Sequence, residues 1–217
     1  MGGLANTTAM CPPGDRSMYH SISYGYLMAE VVRRTDPEHR SYGQFFREVI
    51  CAPLDIKDLW FGLPIEDEPR VAKLTWGAVS PSAPQVAPNP IRVAMMPAVM
   101  APSPAIWNTR EIHASCIPAG SGIATARDGA RFFALLANRG ELGGTRLISE
   151  ERLMAQTEPR PNPLQVDEGI GMITTNGIGG YWVGGTHPHT DPVVGRAPHT
   201  VARAVRWDGP ISTPASA

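Results

Sequence analysis

Two hydroxyl-bearing side chains, Tyr19 and Ser21, stand in a loop directly before a strongly helical stretch of the sequence. A tyrosine can transfer a proton to or from a reacting group that lies within hydrogen-bond distance of its phenol. A serine hydroxyl beside it can donate or accept a hydrogen bond. The other interpretation is that Tyr19 only packs at the entrance of the helix, and the residues by themselves leave both interpretations open.

The remaining candidate nucleophiles have weaker signatures. Cys11, Cys51 and Cys116 are widely spaced and form no Cys-x-x-Cys pair, so we expect reduced cysteines that fill the core. Ser121 lies between two glycines but lacks the Gly-x-Ser-x-Gly pattern of a nucleophile elbow. We therefore predict that Ser121 belongs to a turn.

A histidine-rich stretch near the end of the chain offers a metal-binding alternative. His187, His189 and Asp191 are spaced as in the zinc motif of metallo-β-lactamases, although a proline replaces the last histidine of that motif. Two or three such ligands could hold Zn²⁺ weakly, which would make the protein a zinc hydrolase. We nevertheless predict no metal site. The other histidines have no partner at ligand spacing and are predicted to be ordinary polar residues: His20, His39 and His113.

The loop with Tyr19 leads into a predicted amphipathic helix. Its apolar residues recur at the spacing of one helical face and should be buried: Leu27, Met28, Val31 and Val32. Ser21 or Ser23 could cap the start of the helix. Thr35-Asp36-Pro37 should end it, because the residue before a proline avoids the helical region.

Three more helices are indicated by capping residues at Ser41, Thr125 and Ser149. The helix after Thr125 is rich in Ala, Phe and Leu and should be mostly buried. Asp55 and Gly140 follow helices at places where left-handed backbone is common. Between these helices, residues 64–104 contain nine prolines, so we expect a long irregular connection or a lid over a substrate cleft.

Composition narrows the class of protein. The chain has 217 residues, of which 42% are hydrophobic and 18% charged, so a folded core is expected. The net charge of -1 gives no reason to expect nucleic acid or an anionic membrane as a partner. No apolar run approaches the roughly 20 residues that span a bilayer. We see no signal peptide and expect a cytoplasmic protein of undetermined oligomeric state.

Several segments, taken in order, resemble the serine β-lactamase-like family of penicillin-binding proteins, class C β-lactamases and their esterase relatives. The first is Pro13-Gly14 followed by Tyr19-x-Ser21 and Tyr24-Gly25-Tyr26-Leu27. The longest match runs from Pro118 to Leu153 and is similar to a segment of the esterase-like members. The resemblance implies an α+β fold, with an antiparallel sheet flanked by helices beside a mainly helical region.

The resemblance also implies site residues and an activity. Tyr19 corresponds to the catalytic tyrosine and Ser21 to the third residue of its motif. Trp182 and Gly184 fit the Trp-x-Gly form of a third motif that shapes the substrate-binding wall, although we favour a Gly-rich turn with a packed tryptophan. The implied reaction is hydrolysis of a small-molecule ester or β-lactam-like amide through an acyl-enzyme, with no cofactor.

One element of the family pattern is missing. Family members carry a Ser-x-x-Lys nucleophile motif, but the two lysines of this chain, Lys57 and Lys73, follow Leu54 and Arg70 at that spacing. We therefore expect an N-terminally truncated, inactive member, with a partial domain over residues 1–168. Residues 169–217 contain no lysine or glutamate and are expected to form a poorly ordered tail. The alternative is a non-catalytic relative that serves as a binding module.

Overall fold

The computed structural model describes most of the first 158 residues and short stretches after them. The described residues are 2–12, 14–16, 18–77, 90–95, 103–158, 161–162, 165–169, 171–173 and 177–178. They fall into two compact units, one of Met1–Arg131 with Asp167–Gly171 and one of Phe132–Val166 with Met172–Ala217. No helix in the described ranges combines the length and apolar character needed to cross a membrane.

Short helices and two-residue strands alternate along the described chain. The helices are α1 Gly2–Ala5, α2 Ser23–Thr35, α3 Tyr42–Phe45, α4 Pro90–Met95, α5 Pro104–Trp107, α6 Arg110–Ala114, α7 Ala126–Ala137 and α8 Glu150–Gln156. The strands are β1 Leu59–Trp60, β2 Ile123–Ala124, β3 Glu141–Leu142, β4 Thr145–Arg146, β5 Val166–Asp167 and β6 Met172–Ile173. They pair as β1 with β2, β3 with β4 and β5 with β6.

Helix α2 ends where the sequence predicts but begins differently. Asp36 follows the last helical residue, Thr35, in extended backbone, as expected before Pro37. Neither predicted serine caps the start, because Ile22 occupies the cap position and makes no side-chain cap hydrogen bond. That part of the prediction is wrong.

The predicted buried face of α2 is also wrong. Leu27, Met28 and Val31 are exposed, whereas Gly25 is the buried residue of the helix. A Cβ atom at Gly25 would lie 2.5 Å from the backbone nitrogen of Ala119, so the helix approaches that loop too closely for any larger side chain. Helix α2 thus packs on this loop at Gly25, whereas Leu27, Met28 and Val31 are exposed.

The three other predicted caps and the two predicted left-handed positions are confirmed. In each predicted cap the hydroxyl accepts a hydrogen bond of 3.2 to 3.3 Å from the amide three residues on, at Ser41, Thr125 and Ser149. Asp55 and Gly140 adopt positive φ angles of 52° and 86°. After α3 the backbone widens into a π-helical segment, Phe46–Cys51, and then tightens into a 3-10 turn, Ala52–Leu54.

The core of the first unit forms around this widened segment and strand β1. Its buried apolar residues are Phe46, Cys51, Leu54, Ile56, Leu63 and Ile117. Strand β1 pairs antiparallel with β2, with Leu59 opposite Ala124. The buried Asp128 fixes the start of α7 to this sheet, since its carboxylate accepts hydrogen bonds from the amides of Lys57 and Asp58 at 3.2 and 2.5 Å.

The second unit has its own small core. Leu136 and Leu153 are buried together, with Phe132, Ile148 and Met154 packed against them. Phe133, in contrast, is more than half exposed, so α7 is less buried than its composition predicts.

Candidate active site

Tyr19 lies in the loop just before α2 and points a large part of its side chain to solvent. The residue is 40% exposed. Among the described residues, no group makes a hydrogen bond to its phenol hydroxyl. The hydroxyl is therefore available to a ligand or to a further polar group.

The backbone of Tyr19, unlike its side chain, is held firmly. The amide of Tyr19 donates to Oδ2 of Asp167 at 2.5 Å, and the amide of Gly169 donates to Oδ1 of the same carboxylate at 2.9 Å. Asp167 is only 2% exposed. Hydrogen bonds to a buried carboxylate are stronger than those between neutral groups, so this residue fixes the position of the tyrosine loop.

The carboxylate of Glu168, the residue after Asp167, also contacts the loop that contains Tyr19. The Arg16 guanidinium donates to both oxygens of Glu168, at 2.8 and 2.9 Å. Both side chains are exposed, so this pair contributes less than the Asp167 contact. Nδ1 of His20 lies 2.9 Å from the carbonyl oxygen of Met18, which adds a local link within the loop.

The start of α2 contacts the other segment that the sequence singled out. Gly25 packs against Ala119, so the tyrosine loop and the turn after Pro118 are neighbours in the first unit. Ser121 in that turn is buried, accepts from the amide of Ile117 and donates to the carbonyl of Ser115, each at 2.8 Å. The structure thus confirms Ser121 as a turn residue.

Among the described residues, no lysine or arginine makes a hydrogen bond to the Tyr19 phenol. Lys57 is exposed and lies 3.7 Å from the carboxylate of Asp55. Lys73 is also exposed.

Two of the cysteines are poor nucleophiles. Burial raises the pKa of the Cys51 and Cys116 thiols above the ordinary value. Because the reactive form of cysteine is the thiolate, a raised pKa favours the inert thiol at neutral pH. This agrees with the prediction that they serve as core residues.

The remaining predicted site residues fall outside the described residues. These are Trp182 and Gly184 of the third motif and the zinc alternative His187, His189 and Asp191. Their roles stay predictions.

Sequence analysis missed two buried polar residues. Asp167 was not singled out, although Asp-x-Gly is a common turn pattern in which the carboxylate binds the amide two residues on. The sequence predicts an ordinary polar residue at His113, but its side chain is buried, with Nδ1 2.9 Å from a carboxylate oxygen of Glu68 and Nε2 2.9 Å from the carbonyl oxygen of Trp107. It links the Ile65–Arg70 3-10 turn to helices α5 and α6.

Comparisons with known proteins agree on one family. The family model described as Beta-lactamase matches residues 1–214. The chain is 30% identical over 212 residues to the Esterase/beta-lactamase LipL of Mycobacterium tuberculosis (strain ATCC 25618 / H37Rv), covering 84% of this chain and 47% of that protein.

Three solved structures are similar in fold. A penicillin-binding protein homologue from Caulobacter crescentus has a TM-score of 0.67 and 33% identity, covering 81% of this chain and 45% of its own. A family VIII carboxylesterase has a TM-score of 0.69 and 28% identity, covering 84% and 46%. EstA from Arthrobacter nitroguajacolicus Rue61a has a TM-score of 0.70 and 25% identity, covering 85% and 48%. The chain therefore spans about half the length of the proteins it matches, and it shares their α+β fold over that half.

Proposed function

This chain belongs to the β-lactamase family, and from that premise we propose that it supplies the tyrosine-bearing part of a serine hydrolase. The reaction would be hydrolysis of a small-molecule carboxylic ester or a β-lactam-like amide through an acyl-enzyme. Both substrate classes carry a carbonyl carbon that a serine can attack. The names of the matched proteins support this choice of substrates: they are an esterase/β-lactamase (LipL), a family VIII carboxylesterase and a penicillin-binding protein homologue.

One observation supports the proposal above the others: Tyr19 is held by its backbone and open at its hydroxyl. Asp167 fixes the amide of Tyr19, while the phenol has no hydrogen-bond partner among the described residues. A group that transfers protons must be positioned in advance and must still reach the reacting atoms. In this proposal Tyr19 moves the proton between the nucleophile and the leaving group.

The other site residues take supporting roles in the proposal. Ser21, half-buried one residue beyond His20, would donate a hydrogen bond to the bound substrate. Trp182 and Gly184 would form the wall beside the substrate carbonyl. No cofactor is needed for this chemistry.

The chain alone should not turn over substrate, because no Ser-x-x-Lys occurs in its 217 residues. We expect no labelling by a fluorophosphonate probe and no hydrolysis of a nitrophenyl ester or a chromogenic β-lactam. Labelling of the purified 217-residue chain at a serine would overturn the inactive interpretation.

The hydrolase proposal itself is tested in a longer polypeptide. The part of EstA that has no counterpart in this chain is joined ahead of residue 1, and ester hydrolysis is measured. Tyr19→Phe should lower kcat by a factor of about 10² to 10⁴. The matched control, Tyr26→Phe, also removes a phenol hydroxyl, but from within helix α2, and it should leave kcat unchanged. Equal activity of the two variants would remove Tyr19 from the mechanism.

The missing Ser-x-x-Lys also favours a second candidate, a non-catalytic binding module. Such a module would bind a β-lactam or ester analogue without consuming it. Isothermal titration of the 217-residue chain with an intact β-lactam separates the two candidates. A binding module should show saturable binding. The tyrosine-bearing part of a hydrolase, which lacks the Ser-x-x-Lys side of the site, should show none.

A further inference from the structure

The buried ring of His113 is bonded on both sides, and the proposed reaction makes no use of it. Its Nδ1 lies 2.9 Å from Oε1 of Glu68, and its Nε2 lies 2.9 Å from the carbonyl oxygen of Trp107. A carbonyl oxygen can only accept a hydrogen bond, and so can an ionised carboxylate. Both ring nitrogens must therefore carry a proton for the two contacts to form together.

Both contacts exist only while the ring holds its second proton. A neutral imidazole has one N–H and serves one acceptor, so loss of a proton leaves either Glu68 or the Trp107 carbonyl without its donor. The side chain of His113 is 9% exposed and that of Glu68 is 29% exposed, so water replaces the lost partner incompletely. Leaving a poorly hydrated acceptor unpaired is unfavourable, and more so when it is charged.

The two contacts join the two ends of the proline-rich connection. Glu68 lies in the Ile65–Arg70 3-10 turn near its start, and Trp107 is the last residue of α5, just beyond its end. The side chain of Asn108 ties the same segments a second time. Its Oδ1 accepts from the amide of Leu74 at 2.7 Å, and its Nδ2 donates to the carbonyl of Leu74 at 2.8 Å. This second tie contains no titratable group, so only the first depends on a proton.

The charged groups around the ring leave Glu68 as its ionic partner. In the part of the chain that the structure describes, Glu68 is the charged side chain that bonds to His113. On the same turn, Arg70 is paired with Asp58 at 2.7 Å and with Asp67 at 2.8 Å. Helix α5 carries no titratable residue. The other charged residues of the turn and of α6 are exposed, namely Glu66, Arg110 and Glu111.

We propose that His113 and Glu68 form a proton-dependent clasp that holds the two ends of the connection together and opens as the pH rises. Histidine is the side chain that ordinarily changes its charge between about pH 5 and 8, so the clasp responds within this range. The protonated ring makes both contacts. Its contribution to stability is therefore present at the acid end of the range and is lost as the pH rises.

The clasp also contacts the turn on which α2 packs. A Cβ atom at Gly120 would lie 2.8 Å from Cη2 of the Trp107 ring, and the adjacent Ala119 contacts Gly25 of α2. Opening the clasp releases the carbonyl of Trp107 and should loosen this turn. The proposal does not depend on the hydrolase function, because every contact in it lies within this chain.

Urea unfolding of the 217-residue chain between about pH 5.5 and about pH 8 tests the clasp. The folding equilibrium constant of the wild type, divided by that of His113→Gln, should fall about tenfold over this range, the effect of losing one buried hydrogen bond. Titration of the other histidines cancels in this ratio. A ratio that stays constant with pH overturns the proposal.

Asn108→Ala is the matched control, because it removes the tie between the same two segments that has no titratable group. It should lower stability by the same factor at every pH, to within about twofold. If the ratio of wild type to Asn108→Ala falls with pH as steeply as the His113→Gln ratio, the pH dependence does not come from His113 and the proposal is overturned.

A measurement on the wild type keeps the test valid if His113→Gln does not fold. Nitrogen NMR should show both ring nitrogens of His113 protonated at about pH 5.5 and one of them unprotonated at about pH 8. Over the same range the amide of Leu63, which donates to the carbonyl of His113 at 2.8 Å, should lose about tenfold in exchange protection. A ring that keeps the same number of protons throughout overturns the clasp, and so does unchanged protection at Leu63.

Discussion

Replacing Asp167 by alanine should release the Tyr19 loop without unfolding the protein. The substitution removes the acceptor of two amide hydrogen bonds, from Tyr19 at 2.5 Å and Gly169 at 2.9 Å, in a site that is 2% exposed. Leaving a buried donor unpaired costs about 1 to 3 kcal/mol, so the two together predict a loss of about 2 to 6 kcal/mol. Part of this cost disappears if water enters the released loop.

Two matched variants make the prediction specific. Asp167→Asn keeps the shape of the side chain but replaces one acceptor oxygen with an NH₂ group that faces an amide N–H. One of the two hydrogen bonds is then lost, so the loss of stability should be about half of that expected for Asp167→Ala. Glu168→Gln changes the neighbouring exposed carboxylate, which contacts Arg16 of the same loop. Its effect should be small, because exposed ion pairs contribute little to stability.

Urea unfolding measures the global cost, and amide hydrogen exchange measures the local one. In Asp167→Ala the amides of Tyr19 and Gly169 should lose protection by a larger factor than amides in helix α8. This local signature distinguishes a released loop from general destabilisation. Unchanged protection at Tyr19, or an equal loss in Glu168→Gln, would refute the idea that Asp167 holds the tyrosine in place.

Two further predictions concern helix α2 and its end. Gly25→Ala should destabilise the protein by about 1 to 3 kcal/mol in urea unfolding, because the new Cβ would lie 2.5 Å from the Ala119 backbone nitrogen. The matched control is Gly129→Ala in helix α7, where an added Cβ would have no neighbouring atom within 4 Å. This control should instead stabilise the protein by about 0.4 to 1 kcal/mol. Hydrogen bonds from the Arg40 side chain lower the pKa of Asp36 to about 2, so the stability gained from its charge is present above about pH 3.8 and lost as the pH falls through 2. Acid titration should therefore show a loss of stability in this window that Asp36→Asn does not show, and identical acid profiles would contradict the assignment.

Much of the local structure could be predicted because its causes lie within a few residues. A serine hydroxyl can cap a helix by accepting from the amide three residues on, as Ser41 and Ser149 do. Asp55 and Gly140 accept left-handed backbone through their own side chains, or the lack of one. The order of several motifs along the chain, from Tyr19 to the segment Pro118–Leu153, was likewise enough to predict the family and its α+β fold.

The sequence by itself thus determined three capped helix starts, the end of α2, the family and the candidate tyrosine. Only the tertiary structure decided which face of α2 is covered and what holds Tyr19. The apolar spacing of Leu27 and Val31 specifies a stripe, but whether a neighbour buries it depends on packing, and here Gly25 makes the contact instead. The contact between Asp167 and Tyr19 joins residues 148 positions apart. No local pattern encodes such a pairing, because it exists only once the chain has folded and brought a buried carboxylate to an otherwise unpaired amide.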